Sequence, residues 1–589
     1  MATLNAAPAI VVLGPSALAT ARRIQACYPG ARVHGLHPRI GSDDADERYD
    51  ALGPHLRELY ARGTPLVVLC AAGIVIRSLA PALADKGVEP PVLAVAEDGS
   101  AVVPLLGGLA GVNVMAREIA DALQTAAAIT TSGELRFGTC LLNPPDGYAL
   151  ASIEQGKHFV SSLLAGEAAR LEGDAPWLDG TGVPLADDAR LAIRVSELTS
   201  EGSADELLIH PRCVVVALNT RGERMADDVR RMLDAHHIAM RSLATLLVPR
   251  RLIGDADAVE AAASLGVPLR YVATHDHGND DPHAMLAAAA IPVRYRALDA
   301  GDSAAIAVCE QPIDPLRIGR ARGRLSVVGL GPGDAALRVP AARRALDDAT
   351  DIIGYATYVK MAGPFRDGQQ LHGTDNREEL QRARHAFELA SEGRRVAVVS
   401  SGDPGVFAMA AAVLEALDGA ADPAWADVEL EIVPGVSAAM ATAALAGAPL
   451  GHDFCIVSLS DNLKPWRTIE TRLRHAAEAD FVIALYNPIS RARPWQLDRA
   501  LDVLRAVRSA DTPVVLGRDV GRPGAMLTTT PLGALRADQV DMRTMVIVGS
   551  SQTRKVVYPG QREWIYTPRW YPGDPDDGNG NANPADRPA

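Results

Sequence analysis

Three short stretches in the second half of the chain carry residue types that could hold a cofactor: Gly329-Leu330-Gly331-Pro332-Gly333-Asp334, Ser401-Gly402-Asp403-Pro404-Gly405-Val406, and Pro434-Gly435-Val436-Ser437. Glycine lacks a Cβ, so a bulky ligand can lie against the main chain, and Pro332 fixes one φ so that the loop is preformed. Asp403 offers a carboxylate acceptor suited to hydroxyls or an ammonium group, which would repel phosphate. The dinucleotide fingerprint G-x-G-x-x-G fails because position 334 is Asp, and no G-x-x-x-x-G-K-[ST] phosphate loop occurs. The chemistry on offer is the binding of a nucleotide-like, non-phosphate cofactor.

Each stretch follows an apolar run that reads as a buried strand: Leu325 to Val328, residues 395 to 399 and residues 428 to 433. Helical composition follows in turn at 338 to 351, in AMAAAVLEAL, and in AAMATAALAGA, with Ser437 as the expected N-cap. Strand, glycine loop and helix repeated three times predict an open α/β sheet, in which ligands collect outside the carboxyl ends of the strands.

With 589 residues the chain is too long for a single core, and the expectation is an α/β multidomain protein. Apolar residues make up 48%, and the formal charge of −14 argues against nucleic acid held by bulk attraction. Six scattered cysteines without a C-x-x-C pair suit a reducing cytoplasm rather than a disulfide framework. The N-terminus reads as lacking a secretion signal, and no apolar run approaches a membrane span, so a soluble, cytoplasmic protein is expected.

In the first half, strands are expected at 9–13, 66–70, 92–96 and 213–218. Gly107, Gly108 and Gly111 form another glycine loop before a helix, with Asn113 as its expected cap. Residues 136–211 read as an irregular, inserted region. His275, Asp276, His277, Asp280, Asp281 and His283 lie in a Gly/Asn/Asp loop without ligand-like spacing, so no metal is expected. Residues 313–323 are polar, basic and proline-broken, as a linker would be, and 569–589 are expected to be a disordered tail.

GLGPGD, SSGDPGVF and VPGVSAAMA, in this order, resemble the tetrapyrrole methylase family. GYATYVKM at 354–361, the stretch 461–497 and GRDVGRPGAMLTTT at 517–530 resemble its precorrin-3B C17-methyltransferase branch, over residues 324–568. Residues 1–135, through VVPLLGGLAGVNVM and ITTSGE, and residues 212–312 are similar to the two α/β domains of cobalt-precorrin-5A hydrolases, which open a lactone on a corrin precursor. That family's glycine loop reads Gly-Gly-His where this chain has Gly107-Gly108-Leu109, and leucine cannot shuttle protons. Hydrolysis and noncatalytic tetrapyrrole binding both stay open for this half.

The resemblance implies a methylase of two α/β subdomains that transfers a methyl group from S-adenosylmethionine to C17 of precorrin-3B, with ring contraction to precorrin-4, as a homodimer. It places the cofactor against Gly402, Asp403, Val406, Pro434, Gly435, Ser437, Leu485, Tyr486, Thr528 and Thr529. It places the macrocycle over Gly329, Gly331, Pro332 and Gly333, with Asp334 as a catalytic base, a hydrogen-bond partner or simply a helix cap. Lys464, Arg491 and Arg493 are candidates to pair with substrate carboxylates, and Tyr355 and Tyr358 to donate to its oxygens.

Overall fold

The computed structural model of the chain describes residues 7–571, apart from 29, 42–43, 84–88, 274–279, 367, 376–377, 421, 491–493, 559–561 and 570. The chain divides into two compact units between Arg322 and Gly323. The histidine-rich loop at 274–279, Arg491, Arg493 and the tail beyond Tyr571 lie outside the described residues.

Among the described residues the first unit contains three sheets. The N-terminal sheet orders its strands, named by first residue, as 47-32-9-66-92-102, parallel except for the last. The expected strands appear as Ala9–Val12, Leu66–Leu69 and Val92–Val95, and every residue in them is buried, as helices on both faces of a parallel sheet require. Asn113 is not the cap of the next helix. Gly111, at φ 89°, turns the chain into Val112–Leu123 without a side-chain bond. Asn113 instead points inward and donates to Thr131 Oγ1 at 3.0 Å and Glu134 Oε1 at 2.7 Å. The buried Glu134 carboxylate also accepts from Arg117 at 2.8 Å.

Residues 136–211, which read as irregular, contain their own four-stranded sheet over a core of Phe137, Phe159, Leu163, Leu207 and Ile209. The strand of CVVVAL is central to the third sheet, ordered 269-243-214-304-295. The segment expected as a linker is packed rather than free. Ile318 is fully buried, Tyr271 and Arg320 form a β-bridge, and the Arg270 guanidinium donates to the carbonyls of Leu316, Ile318 and Gly319. A buried guanidinium needs acceptors, and this segment supplies them. All six cysteines are free thiols. Among the described residues no group of histidine, cysteine or carboxylate could hold a metal ion, and no helix is long and apolar enough to cross a membrane.

The second unit begins at Gly323, where a Cβ would stand 1.7 Å from the Ala390 carbonyl oxygen. Its first sheet is wholly parallel and ordered 370-351-395-324-429, so Arg324–Gly329 lies between Arg395–Ser400 and Glu429–Val433. Leu325 pairs with Val396 on one side and Leu430 on the other. The expected 338–351 helix is shorter, Pro340–Asp348, because Asp351 already starts the next strand. The second sheet is mixed and ordered 454-482-544-513-526. The alanine-rich helix Ala438–Ala446 presses Ala439, Ala443 and Ala446 onto Val482, Ala484, Val515 and Ile547 of this sheet. It lies so close that a Cβ on Gly517 would fall 2.5 Å from Thr442 Cγ2.

Candidate functional site

Strand Arg324–Gly329 and its two neighbours run in parallel, so their glycine loops emerge at one edge and meet there. Gly331 and Gly402 exchange two backbone hydrogen bonds, of 3.1 and 2.7 Å. A Cβ on Gly329 would lie 2.6 Å from the Gly402 oxygen and 2.8 Å from the Gly435 nitrogen, and one on Gly435 would lie 2.2 Å from that same oxygen. The space a side chain would take at these positions is therefore filled by the neighbouring loops, not left open for a ligand. The same holds for Gly331, blocked by the Leu337 carbonyl at 2.9 Å, and for Gly333, blocked by Arg522 Cγ at 2.6 Å and the Gly521 carbonyl at 2.7 Å. Glycine at these positions permits backbone-to-backbone assembly of the three loops.

Asp403 fastens the assembly. Its Oδ1 accepts from Gly405 N at 2.8 Å within its own loop, and its Oδ2 accepts from Gly435 N at 3.1 Å in the next. The residue stays half-buried, so the carboxylate keeps lone pairs toward solvent. Pro404 is buried behind it, and Val406 is half-buried. Ser437 behaves as expected at the helix start, its Oγ accepting from Met440 N at 3.3 Å. Pro434 and Gly435 bring the chain to that cap.

The second sheet contributes Tyr486, whose hydroxyl accepts from Ala439 N at 3.2 Å in the first turn of the alanine helix. Leu485 points the other way, fully buried in the core, so only its backbone can reach a ligand. Thr528 and Thr529 are neighbours on one strand, so their side chains leave opposite faces of the sheet. Thr529 pairs with Val515, on the face that carries the alanine helix, and its hydroxyl donates to Glu563, which also pairs with Lys555. Thr528 is exposed opposite Leu516 on the far face.

Asp334 is exposed and caps the short turn Ala335–Leu337, its Oδ1 accepting from Ala336 N at 2.8 Å. Pro332 is held by Arg522, whose Nε donates to the Pro332 carbonyl at 3.0 Å. The same guanidinium reaches Ser401 Oγ at 3.4 Å and Met361 Sδ at 3.8 Å. Tyr355 and Tyr358 meet edge to face, with centroids 5.4 Å apart. Burial pushes the Tyr358 hydroxyl's pKa up, against the pull of the nearby Arg522 cation, so Tyr358 is a protonated donor. Lys464 holds its ammonium 5.7 Å from the centroid of the Phe407 ring, and partial burial draws its pKa down.

Sequence reasoning missed Arg522 and Phe407. Arg522 stands in a Gly-Arg-Pro-Gly turn, whose irregular composition marks a loop but not its destination. Phe407 closes the SSGDPGVF stretch just before the expected helix, and a large aromatic shortly after a proline-glycine turn was the available signal.

The arrangement defines an α/β protein in which three strand-end loops meet at one edge of a parallel sheet, two of them tied together by the Asp403 carboxylate. Residues 324–536 match the tetrapyrrole (corrin/porphyrin) methylases, and residues 54–134 match the N-terminal region of the cobalamin synthesis G proteins. A precorrin-3B C(17)-methyltransferase of Sinorhizobium sp is 54% identical over 252 residues, which are 43% of this chain and 98% of that protein. The cobalamin biosynthesis protein CobIJ of Mycobacterium tuberculosis (strain ATCC 25618 / H37Rv) is 48% identical over 254 residues, 42% of this chain and 49% of that protein. A solved structure of the methyltransferase CobJ is 51% identical, covers 42% of this chain and 100% of that one, and has a TM-score of 0.40. The chain belongs to the tetrapyrrole methylase family.

Proposed function

We propose that the second unit methylates precorrin-3B at C17 with S-adenosylmethionine as donor, accompanied by ring contraction to precorrin-4. The observation that carries the reading is the near-complete coverage of the Sinorhizobium methyltransferase at 54% identity. The assembled loops fit the cofactor in kind. A half-buried carboxylate, a helix start and a tyrosine hydroxyl match an amino acid and ribose, and the loops carry no phosphate-binding lysine.

S-adenosylmethionine supplies a methyl group on a sulfonium whose leaving group is already activated by charge. The protein's task is orientation and the exclusion of water. Asp403, the Pro434–Ser437 turn and the backbone at Gly402, Val406 and Leu485 would hold the donor. Asp403 does this only while its two amide partners keep both loops in register. Arg522 bonds the Pro332 carbonyl and so fixes the first loop, over which the acceptor lies, while Lys464 supplies a cation for its carboxylates. Tyr358 holds its proton and can donate to a substrate oxygen.

For the first unit, the match over 54–134 supports tetrapyrrole recognition. Binding without hydrolysis is favoured by two observations: Leu109 stands exposed in the glycine loop, and the buried Glu134 carboxylate already accepts from Arg117 and from Asn113, which also donates to Thr131. Incubating the full chain with precorrin-3B and methyl-labelled S-adenosylmethionine tests the main reading. One label per macrocycle is expected, and none would overturn it. Opening of the lactone in a cobalt-precorrin-5A substrate, read as the gain of one water in the mass of the macrocycle, would overturn the binding-only reading of the first unit.

A further inference from the structure

Phe407 combines three properties that rarely occur together. Its φ is 53°, in the left-handed region that a bulky side chain avoids. The residue is 52% exposed, so burial does not offset that strain. The ring is nonetheless held in one place, edge to face with Tyr486 at 5.5 Å between centroids and 63° between planes, with the Lys464 ammonium 5.7 Å from its centroid. Strain kept at an exposed, oriented side chain marks a position selected for what it touches rather than for folding.

The surroundings say what it touches. Phe407 ends the loop that Asp403 fastens, Tyr486 reaches the first turn of the alanine helix, and Lys464 comes from the segment before helix Trp466–Glu478. The ring therefore bridges the two halves of the second unit at the site edge. With an ammonium already drawn to the ring, a second cation such as a sulfonium would meet repulsion there. A flat, apolar ring system bearing carboxylates meets the opposite: an aromatic face to pack on and an ammonium to pair with. Resting on the reaction proposed above, we infer that Phe407 is a substrate-positioning residue, an aromatic platform on which the polycarboxylate macrocycle packs while Lys464 pairs with one of its carboxylates.

The test uses the full chain and three variants: Phe407→Asn, Phe407→Gly and Phe407→Tyr. Asn and Gly tolerate the left-handed backbone and have no aromatic face, while Tyr keeps the face. Methyl transfer to precorrin-3B gives kcat and KM, calorimetry gives the Kd of S-adenosylhomocysteine, and thermal melting gives Tm. The expected result is a KM for precorrin-3B raised about tenfold in the Asn and Gly variants and near wild type in the Tyr variant. S-adenosylhomocysteine affinity should stay within about twofold and Tm should not fall, since strain is relieved. A weakened S-adenosylhomocysteine affinity with unchanged KM for precorrin-3B would assign the ring to the donor and overturn the proposal. Unchanged constants, or a steep loss of Tm in both the Asn and Gly variants, would overturn it as well. An active wild type with indifferent variants would sink this proposal alone, whereas a wild type that transfers no label would remove the reaction on which it rests.

Discussion

The Asp403 carboxylate accepts the Gly435 amide at 3.1 Å and so ties the loop after one strand to the loop after another, two strands away across the sheet. The other oxygen holds Gly405 at 2.8 Å. One side chain thus sets the relative position of two of the three backbone loops. Asp403→Ala removes both acceptors and should lower the stability of the second unit by about 1–3 kcal/mol. It should also weaken S-adenosylhomocysteine binding, while Asp403→Asn, which retains one acceptor oxygen, falls between. Urea midpoints and calorimetry on the same preparations check this.

Gly435→Ala should be more severe. Its new Cβ would stand 2.2 Å from the Gly402 oxygen, a backbone atom that cannot step aside without breaking the Gly331–Gly402 bridge. Overpacking of this kind costs roughly 3 kcal/mol or more. Limited proteolysis should show the second unit cleaved faster while the first is unchanged. Equal resistance in the variant and the wild type would mean that the loops do not meet in this way.

Arg522→Ala removes the donors to the Pro332 carbonyl and Ser401 Oγ. A loss of about 1–2 kcal/mol is expected from the unmet acceptors. Arg522→Lys should not restore it, because a single ammonium cannot reproduce the planar fork that serves both partners. Thermal melts of the three proteins decide.

The presence of three turning loops at the strand ends was legible in the sequence because glycine and proline act locally: a strand end followed by Gly-x-Gly-Pro-Gly or Gly-Asp-Pro-Gly must turn. Why glycine is needed there was not legible. The atoms that exclude a side chain at Gly329 and Gly435 belong to Gly402 and to each other, far along the chain. Thr528 and Thr529 were taken as a pair, yet strand alternation sends them to opposite faces, which the sequence would have shown had the segment been read as a strand. The sheet of residues 148–211 was hidden by its short strands and frequent turns. Asn113 looked like a cap because its residue type favours caps, but Gly111 takes the turn and frees Asn113 to bind the buried Glu134.

Acid should weaken the first unit through His34. Burial, only partly offset by Glu47, lowers its pKa to about 4, beside His55 at 3.1 Å. Between about pH 6.5 and that value the unfolded chain binds a proton that the folded unit does not, so stability falls as pH is lowered through this window, by up to about 1.4 kcal/mol per pH unit. Replacement by a nontitrating residue, His34→Gln, should flatten this part of the profile. Melting of the first unit between pH 7 and pH 4.5 measures the slope.

Methyl transfer by the second unit must reach one carbon of the tetrapyrrole. The most direct measurement is carbon NMR, with mass spectrometry, of the macrocycle formed when the full chain acts on precorrin-3B with ¹³C-methyl S-adenosylmethionine. A single enriched methyl on C17 in a ring-contracted product is expected. A label on another ring carbon, or a macrocycle recovered unlabelled while donor and acceptor are both bound, would contradict it.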